Sequence, residues 1–145
     1  MMKKSILFIC IHNSARSQMA EEILRKLAPD KFDVESAGIE PGNLNPFAVS
    51  VLREIGINIE GKKTQSVSEL INSGKSYDYV IKVCDEANAS KCPIFPGNEK
   101  QIRWGFSDPS SFEGSAEEKL AFTRVVREEI QLKIKEFIAE NGYQQ

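Results

Sequence analysis

Ser5 to Cys10 is a continuous apolar run of strand length, and from about Ala15 the period changes to that of a helix. Met19, Ile23 and Leu27 recur every fourth position with Ala20 and Leu24 beside them, and Pro29 closes the stretch. Phe32 to Ala37 alternates like a strand and ends at Gly38. Asn45-Pro46 opens a second helix through Phe47, Val51, Leu52 and Ile55, which Gly56 terminates. Ser66 with Glu69 three residues on is a capping-box pattern and predicts a short helix to Ile71. Tyr77 to Cys84 predicts the central strand. Asp85 to Lys91 is polar with helical character, limited before Cys92 by Pro93 and Pro96. Gln101 to Phe106 predicts the last strand. A second capping box, Ser115 to Glu118, precedes a stripe of Phe122, Val126, Ile130, Ile134 and Ile138 that runs to Asn141-Gly142.

Strands and helices alternating in this way predict an α/β fold: an open four-stranded parallel sheet, doubly wound, with helices on both faces, forming a single domain over residues 1–145. Ligands of such sheets bind at the carboxyl ends of the strands. Cys10, Cys84 and the segment after Phe106 all fall at such ends, so their chemistry is expected on one rim.

With 145 residues, 41% of them hydrophobic, the chain is long enough to fold without disulfide staples or a structural metal. Its three cysteines, Cys10, Cys84 and Cys92, are therefore available for chemistry, and their odd number reads as a reducing compartment. The net charge is −2 with scattered basic residues, which offers no footprint for nucleic acid or an anionic membrane and points to a small ligand. Met1 to Lys4 followed by Ile6 to Ile9 imitates the start of an export signal. The apolar run stops at Ile11, however, and polar His12-Asn13-Ser14 follows without a small-residue cleavage site. A buried first strand and a cytoplasmic location are expected. No window approaches the ~20 apolar residues of a membrane span.

The central feature is Cys10-Ile11-His12-Asn13-Ser14-Ala15-Arg16-Ser17, a thiol at the end of a buried strand and a guanidinium in the first turn of a helix. A loop that wraps into a helix N-terminus aims successive backbone N–H groups at one point, and the helix dipole adds positive charge, which together make an oxyanion cradle. Arg16 supplies a fork for two oxygens of a tetrahedral anion. The same field, with the Ser17 hydroxyl, stabilises a Cys10 thiolate. Asp108-Pro109 follows the last strand. Asp108 is a turn former by itself, and beside a cradle it is the best-placed proton donor for a leaving oxygen. Cys84 and Cys92 read either as small buried residues or, with Cys84 beside the Cys10 loop, as members of a thiol relay. Three cysteines and one histidine lack the paired spacing of a zinc site. His12, the single histidine, either tunes the thiolate or points away from the cradle.

These residues resemble the thioredoxin-coupled arsenate reductases built on the low-molecular-weight protein tyrosine phosphatase fold. The resemblance covers nearly the whole chain: Cys10 to Glu21, Ser36-Ala37-Gly38, Asn45-Pro46 through Ile57, Cys84 to Pro93, Trp104 to Ser110 and the final helix. It implies a Cys10 nucleophile, an anion loop over Ile11, His12, Asn13, Ser14, Ala15 and Arg16, thiolate support from Ser17, Asp108 as the acid, and Cys84 and Cys92 as the redox pair. It further implies arsenate reduction for arsenical resistance, through a Cys10/Cys84/Cys92 disulfide relay regenerated by external thioredoxin. No bound cofactor is needed, and the chain acts as a monomer. Some relatives bind potassium beside the loop. Asn13, Glu21 and Ser36 match that site, while Gln65 or Ser66 stands near where an aspartate is expected, and the spacing from Cys84 to Cys92 is one residue longer than the family's pattern. Two other readings remain: a phosphatase of phosphotyrosine type, which Ser110-Ser111 in place of a tyrosine pair disfavours, and a non-enzymatic oxyanion or redox sensor, for which no docking element is found.

Overall fold

Every residue from Ile6 to Ile9 is fully buried, which explains why the first strand reads as an unbroken apolar run instead of an alternating one. In the computed structural model, which describes residues 3–84 and 100–141, that strand is β1 (Lys4–Cys10). It pairs in parallel with β2 (Phe32–Gly38) on one side and β3 (Tyr79–Lys82) on the other. With β4 (Lys100–Arg103) parallel to β3, the sheet order is β2-β1-β3-β4, four parallel strands as the alternation predicts. Cys92, the expected helix over 85–91 and Gly142 lie outside the described residues.

The two faces of β1 pack against different helices. Ile6 and Phe8 join the larger core with α1 (Arg16–Leu27), α2 (Pro46–Arg53) and α4 (Ala116–Glu140), whereas Leu7 and Ile9 meet Val67 and Leu70 of α3 (Val67–Asn72). Val126, Ile130, Ile134 and Ile138 of α4 are all buried, so the predicted stripe is the packing face. The capping box forms in full: Glu118 N donates to Ser115 Oγ at 3.1 Å, and Ser115 N donates to Glu118 Oε1 at 3.0 Å. Asn45 Oδ1 accepts from Phe47 N at 2.8 Å and starts α2, with Pro46 at its first position.

Two strands are shorter than the apolar runs suggest. β3 begins at Tyr79, not Tyr77, because the Asp78 carboxylate accepts from Ser5 N at 2.8 Å and occupies a donor the ladder would otherwise use. β4 stops at Arg103; Trp104 N still donates to the Lys82 carbonyl at 2.8 Å, but the Trp104 ring turns into the core against Phe8 and Phe137. The chain then leaves the sheet for a 3-10 turn at Pro109–Ser111. Cys84 remains just past the end of β3, so both described cysteines reach the rim where the ladders stop.

Candidate active site

Cys10 is the last residue of β1, pairs with Gly38 in the register, and is 2% exposed. The chain from Ile11 to Ala15 doubles back over the end of β2 before α1 starts at Arg16. That path requires Gly38: a Cβ there would stand 2.8 Å from Asn13 N, His12 C and Ile11 O, all of them backbone atoms. Asn13 takes the left-handed conformation (φ 55°), which asparagine tolerates better than other side-chain-bearing residues.

Asn13 is the hub of the site. Its backbone N–H donates to Cys10 Sγ at 3.1 Å. Its side-chain oxygen accepts from Gln65 N at 2.9 Å and from Gln18 Nε2 at 3.0 Å. Since a backbone N–H can only donate, the amide orientation is settled, and Nδ2 must face Ser17 Oγ at 2.7 Å and Ser36 Oγ at 2.9 Å. Ser17 Oγ, which accepts from Asn13 Nδ2, lies 2.9 Å from Cys10 Sγ and can donate its own hydrogen there. Asn13 N and Ser17 Oγ are thus the two donors that face the sulfur.

The mouth of α1 differs from the other helix starts. Asn45, Ser66 and Ser115 each cap their helix, whereas Ala15 supplies no side-chain cap and the first turn of α1 has no acidic residue. Its leading N–H groups have no intrahelical acceptor and are left to an anion. Arg16 is 3% exposed, donates through Nη1 to the Phe106 carbonyl at 3.1 Å, and brings Nη2 to 3.6 Å from Asp108 Oδ2. Asp108 is itself fixed by the 3-10 turn, accepting from Ser110 N and Ser111 Oγ, both at 3.0 Å. The two residues that occupy the place of a tyrosine pair therefore hold the carboxylate, and Asn45 Nδ2 steadies Ser110 Oγ at 2.9 Å.

Cys84 is fully buried on the neighbouring strand end, its thiol directed to the Ile9 carbonyl at 3.9 Å. His12 points away from the sulfur: it is exposed, and Nδ1 donates to the Glu40 carbonyl at 2.8 Å. Cys10, Arg16, Ser17 and Asp108 thus converge as the sequence suggests, Cys84 lies on the same rim, and Cys92 is outside the described residues.

The residues that match the relatives' potassium site bond to one another and to cations of the chain itself. Asn13, Glu21 and Ser36 are adjacent, but their oxygens are already taken. Asn13 Oδ1 is filled by Gln18 and Gln65, the Ser36 hydroxyl donates to Glu21 Oε1, and Lys62 Nζ sits 2.8 Å from that same oxygen. Arg25 takes Glu21 Oε2. Gln65 contributes its backbone N–H here, and its side chain donates to the Ser36 carbonyl at 3.0 Å; it does not replace a carboxylate. The donor set does not fit a resident cation. Lys62 and the buried amide of Gln18 escaped the sequence reading, Lys62 because it lies in a Gly61-Lys62-Lys63 stretch without periodicity and Gln18 because a polar residue in the first turn of a helix reads as exposed.

The family model for low molecular weight phosphotyrosine protein phosphatases matches residues 5–143. An arsenate reductase of Bacillus licheniformis is 46% identical over 144 residues, spanning 98% of this chain and 99% of the relative. Among solved structures, an arsenate reductase in the phosphate binding state superposes with a TM-score of 0.76 at 29% identity, covering 96% of this chain and 98% of that one. A thioredoxin-dependent arsenate reductase of Corynebacterium glutamicum superposes at 0.70 with 28% identity, over 95% of this chain and 61% of that one.

Proposed function

The chain belongs to the low molecular weight phosphotyrosine protein phosphatase family, and on that premise we propose that it reduces arsenate to arsenite on Cys10 with electrons drawn from thioredoxin. The observation that carries this reading is a sulfur with two hydrogen-bond donors at the mouth of an uncapped helix, beside Arg16, with a second buried thiol on the next strand end. The 46%-identical relative and the thioredoxin-dependent structural neighbour support it.

The Cys10 thiolate attacks the arsenic of an arsenate held by the loop N–H groups of Ile11 to Ser17 and by Arg16, and Asp108 gives its proton to the departing oxygen, which leaves as water. The resulting adduct is still As(V). Cys84, as thiolate, attacks the Cys10 sulfur; the S–S bond forms, the S–As bond breaks, and its electron pair stays on arsenic, which leaves as arsenite. Cys92 attacks Cys84, frees Cys10 and leaves a Cys84–Cys92 disulfide, which the thioredoxin dithiol reduces. Two electrons pass per arsenate, and no bound cofactor takes part. The protein works as a cytoplasmic monomer.

The test is purified protein with arsenate, a thioredoxin system and NADPH. Wild type consumes NADPH continuously, while Cys92→Ser completes about one turnover and stalls as a Cys10–Cys84 disulfide visible by mass spectrometry. Hydrolysis of an aryl phosphate needs neither Cys84 nor Cys92. Aryl phosphate turnover faster than arsenate reduction would hand the site to the phosphatase reading.

A further inference from the structure

Glu21 has no part in the chemistry above, yet it is a carboxylate only 4% exposed, two hydrogen bonds from Asn13 by way of Ser36. A buried carboxylate is costly unless it is paired. Its Oε2 meets Arg25, which also bonds Glu22 and the Val34 carbonyl. Its Oε1 meets the Ser36 hydroxyl and, at 2.8 Å, Lys62 Nζ, which also reaches Glu22 Oε2 at 2.7 Å. Two carboxylates thus face two cations. Burial raises the Glu22 acid and the Lys62 and Arg25 charges lower it, with the net effect downward, as expected of a cluster that holds its charges. Lys62 arrives from outside α1, on the connection between α2 and α3, where Gly61 (φ +83°) permits the turn and Lys62 N donates to the Ile59 carbonyl at 2.9 Å.

The contacts run on without a break. Glu21 Oε1 fixes the Ser36 hydrogen, Ser36 Oγ then accepts from Asn13 Nδ2, and the same Nδ2 directs Ser17 toward Cys10. We propose that Lys62 is a tethered cation: a positioning residue whose ammonium stands where a free monovalent cation would otherwise balance Glu21, and which through Ser36, Asn13 and Ser17 keeps the hydroxyl donor on Cys10. The enzyme therefore carries its own cation and works without potassium. The inference rests on Cys10 being the nucleophile but not on the identity of the oxyanion.

The experiment follows alkylation of Cys10 by iodoacetate at one fixed pH, scored on the Cys10 peptide by mass spectrometry, in potassium chloride and in tetramethylammonium chloride of equal ionic strength. Arsenate reduction is measured in parallel, and thermal melting checks the fold. Wild type reacts at the same rate in both salts. Lys62→Met slows about fivefold in tetramethylammonium, the order expected for loosening one hydrogen bond, and recovers in potassium, whereas Lys62→Arg stays near wild type in both. A potassium-dependent wild type overturns the proposal. So does a Lys62→Met protein equal to wild type in both salts, or one that neither potassium nor the arginine variant rescues, since Lys62 would then be only structural. A protein that never reduces arsenate breaks the proposed function and leaves the alkylation result standing.

Discussion

Cys10 ends β1 and Cys84 lies two residues past the end of the adjacent parallel strand β3, both nearly inaccessible, yet the groups that face them differ in kind. Cys10 receives two donors, Asn13 N and Ser17 Oγ, at 3.1 and 2.9 Å. Cys84 instead directs its thiol toward an acceptor, the Ile9 carbonyl, at 3.9 Å. Donors stabilise a sulfur that carries charge, whereas an acceptor suits one that keeps its hydrogen. Burial and strand position are therefore shared by the attacking thiol and the one held in reserve, and the hydrogen-bond partners assign the roles. In the proposed cycle Cys84 becomes a nucleophile only after the adduct has formed on Cys10.

The largest expected effects come from removing the two sulfurs in turn. Cys10→Ser should lower arsenate reduction at least a hundredfold and abolish aryl phosphate hydrolysis with it, because a serine hydroxyl here is scarcely ionised and the loop supplies no separate base among the described residues. Cys84→Ser should stop arsenite release while leaving aryl phosphate hydrolysis within about twofold, since hydrolysis of a phosphate ester needs no second thiol. Arsenite quantified in a single turnover separates the two outcomes. Should Cys84→Ser release arsenite at the wild-type rate, the two thiols are not partners and the comparison fails.

Gly38→Ala sharpens the contrast by acting on one sulfur alone. An added methyl would meet three backbone atoms of the Cys10 loop at 2.8 Å, and backbone cannot swing aside as a flexible side chain does. The expected cost is about 1–3 kcal/mol of stability, with Cys10 alkylation slowed more than tenfold because the loop that presents Asn13 N is displaced. Cys84 follows β3, on the other side of β1 from Gly38, and should stay as protected as in wild type. Chemical denaturation and peptide-resolved alkylation measure both. Equal changes at the two cysteines would mean that the rim behaves as one unit.

The distinction between the sulfurs was only partly legible in the sequence. The apolar run into Cys10 and the loop running into Arg16 carried the strand, the cradle and the first thiol, because patterning and helix-start chemistry are local signals. The Asp108-Pro109 turn was legible for the same reason. What no local pattern encodes is the side-chain network: Asn13 could be named as a loop residue, but its role depends on Gln65 lying 52 positions away and on Ser36 from another strand. The overlong β3 and β4 had the same origin. An apolar run records burial, and Trp104 and Phe106 are buried without being strand. Lys62 was hidden most completely, since it occupies a turn of ordinary polar composition and only tertiary contact gives it a partner.

The smallest predicted effect comes from a charged cluster remote from both sulfurs, which tests whether the electrostatics of the site are local. Glu54, at the end of α2, accepts from Arg124 Nε and Nη2 at 2.9 and 2.6 Å and from Arg127 Nη1 at 2.8 Å, tying α2 to α4. The Arg124 hydrogen bonds, with Arg127 adding to them, outweigh the upward pull of burial and hold the Glu54 acid down at about 2. Its folded value lies below the unfolded one, so the cluster contributes stability above about pH 4.5 and loses it as the pH falls toward 2. Glu54 and Arg124 are both more than a third exposed, and solvent screening keeps that contribution small. Glu54→Gln should therefore melt slightly below wild type at pH 7, and the gap should narrow below about pH 4.5 and close only near pH 2. Cys10 alkylation and arsenate reduction should not change, because no contact links Glu54 to the Asn13 network among the described residues. A Glu54→Gln protein with altered Cys10 reactivity would show that charge acts on the sulfur at long range, and the assignment of roles by neighbouring donors and acceptors would fall with it.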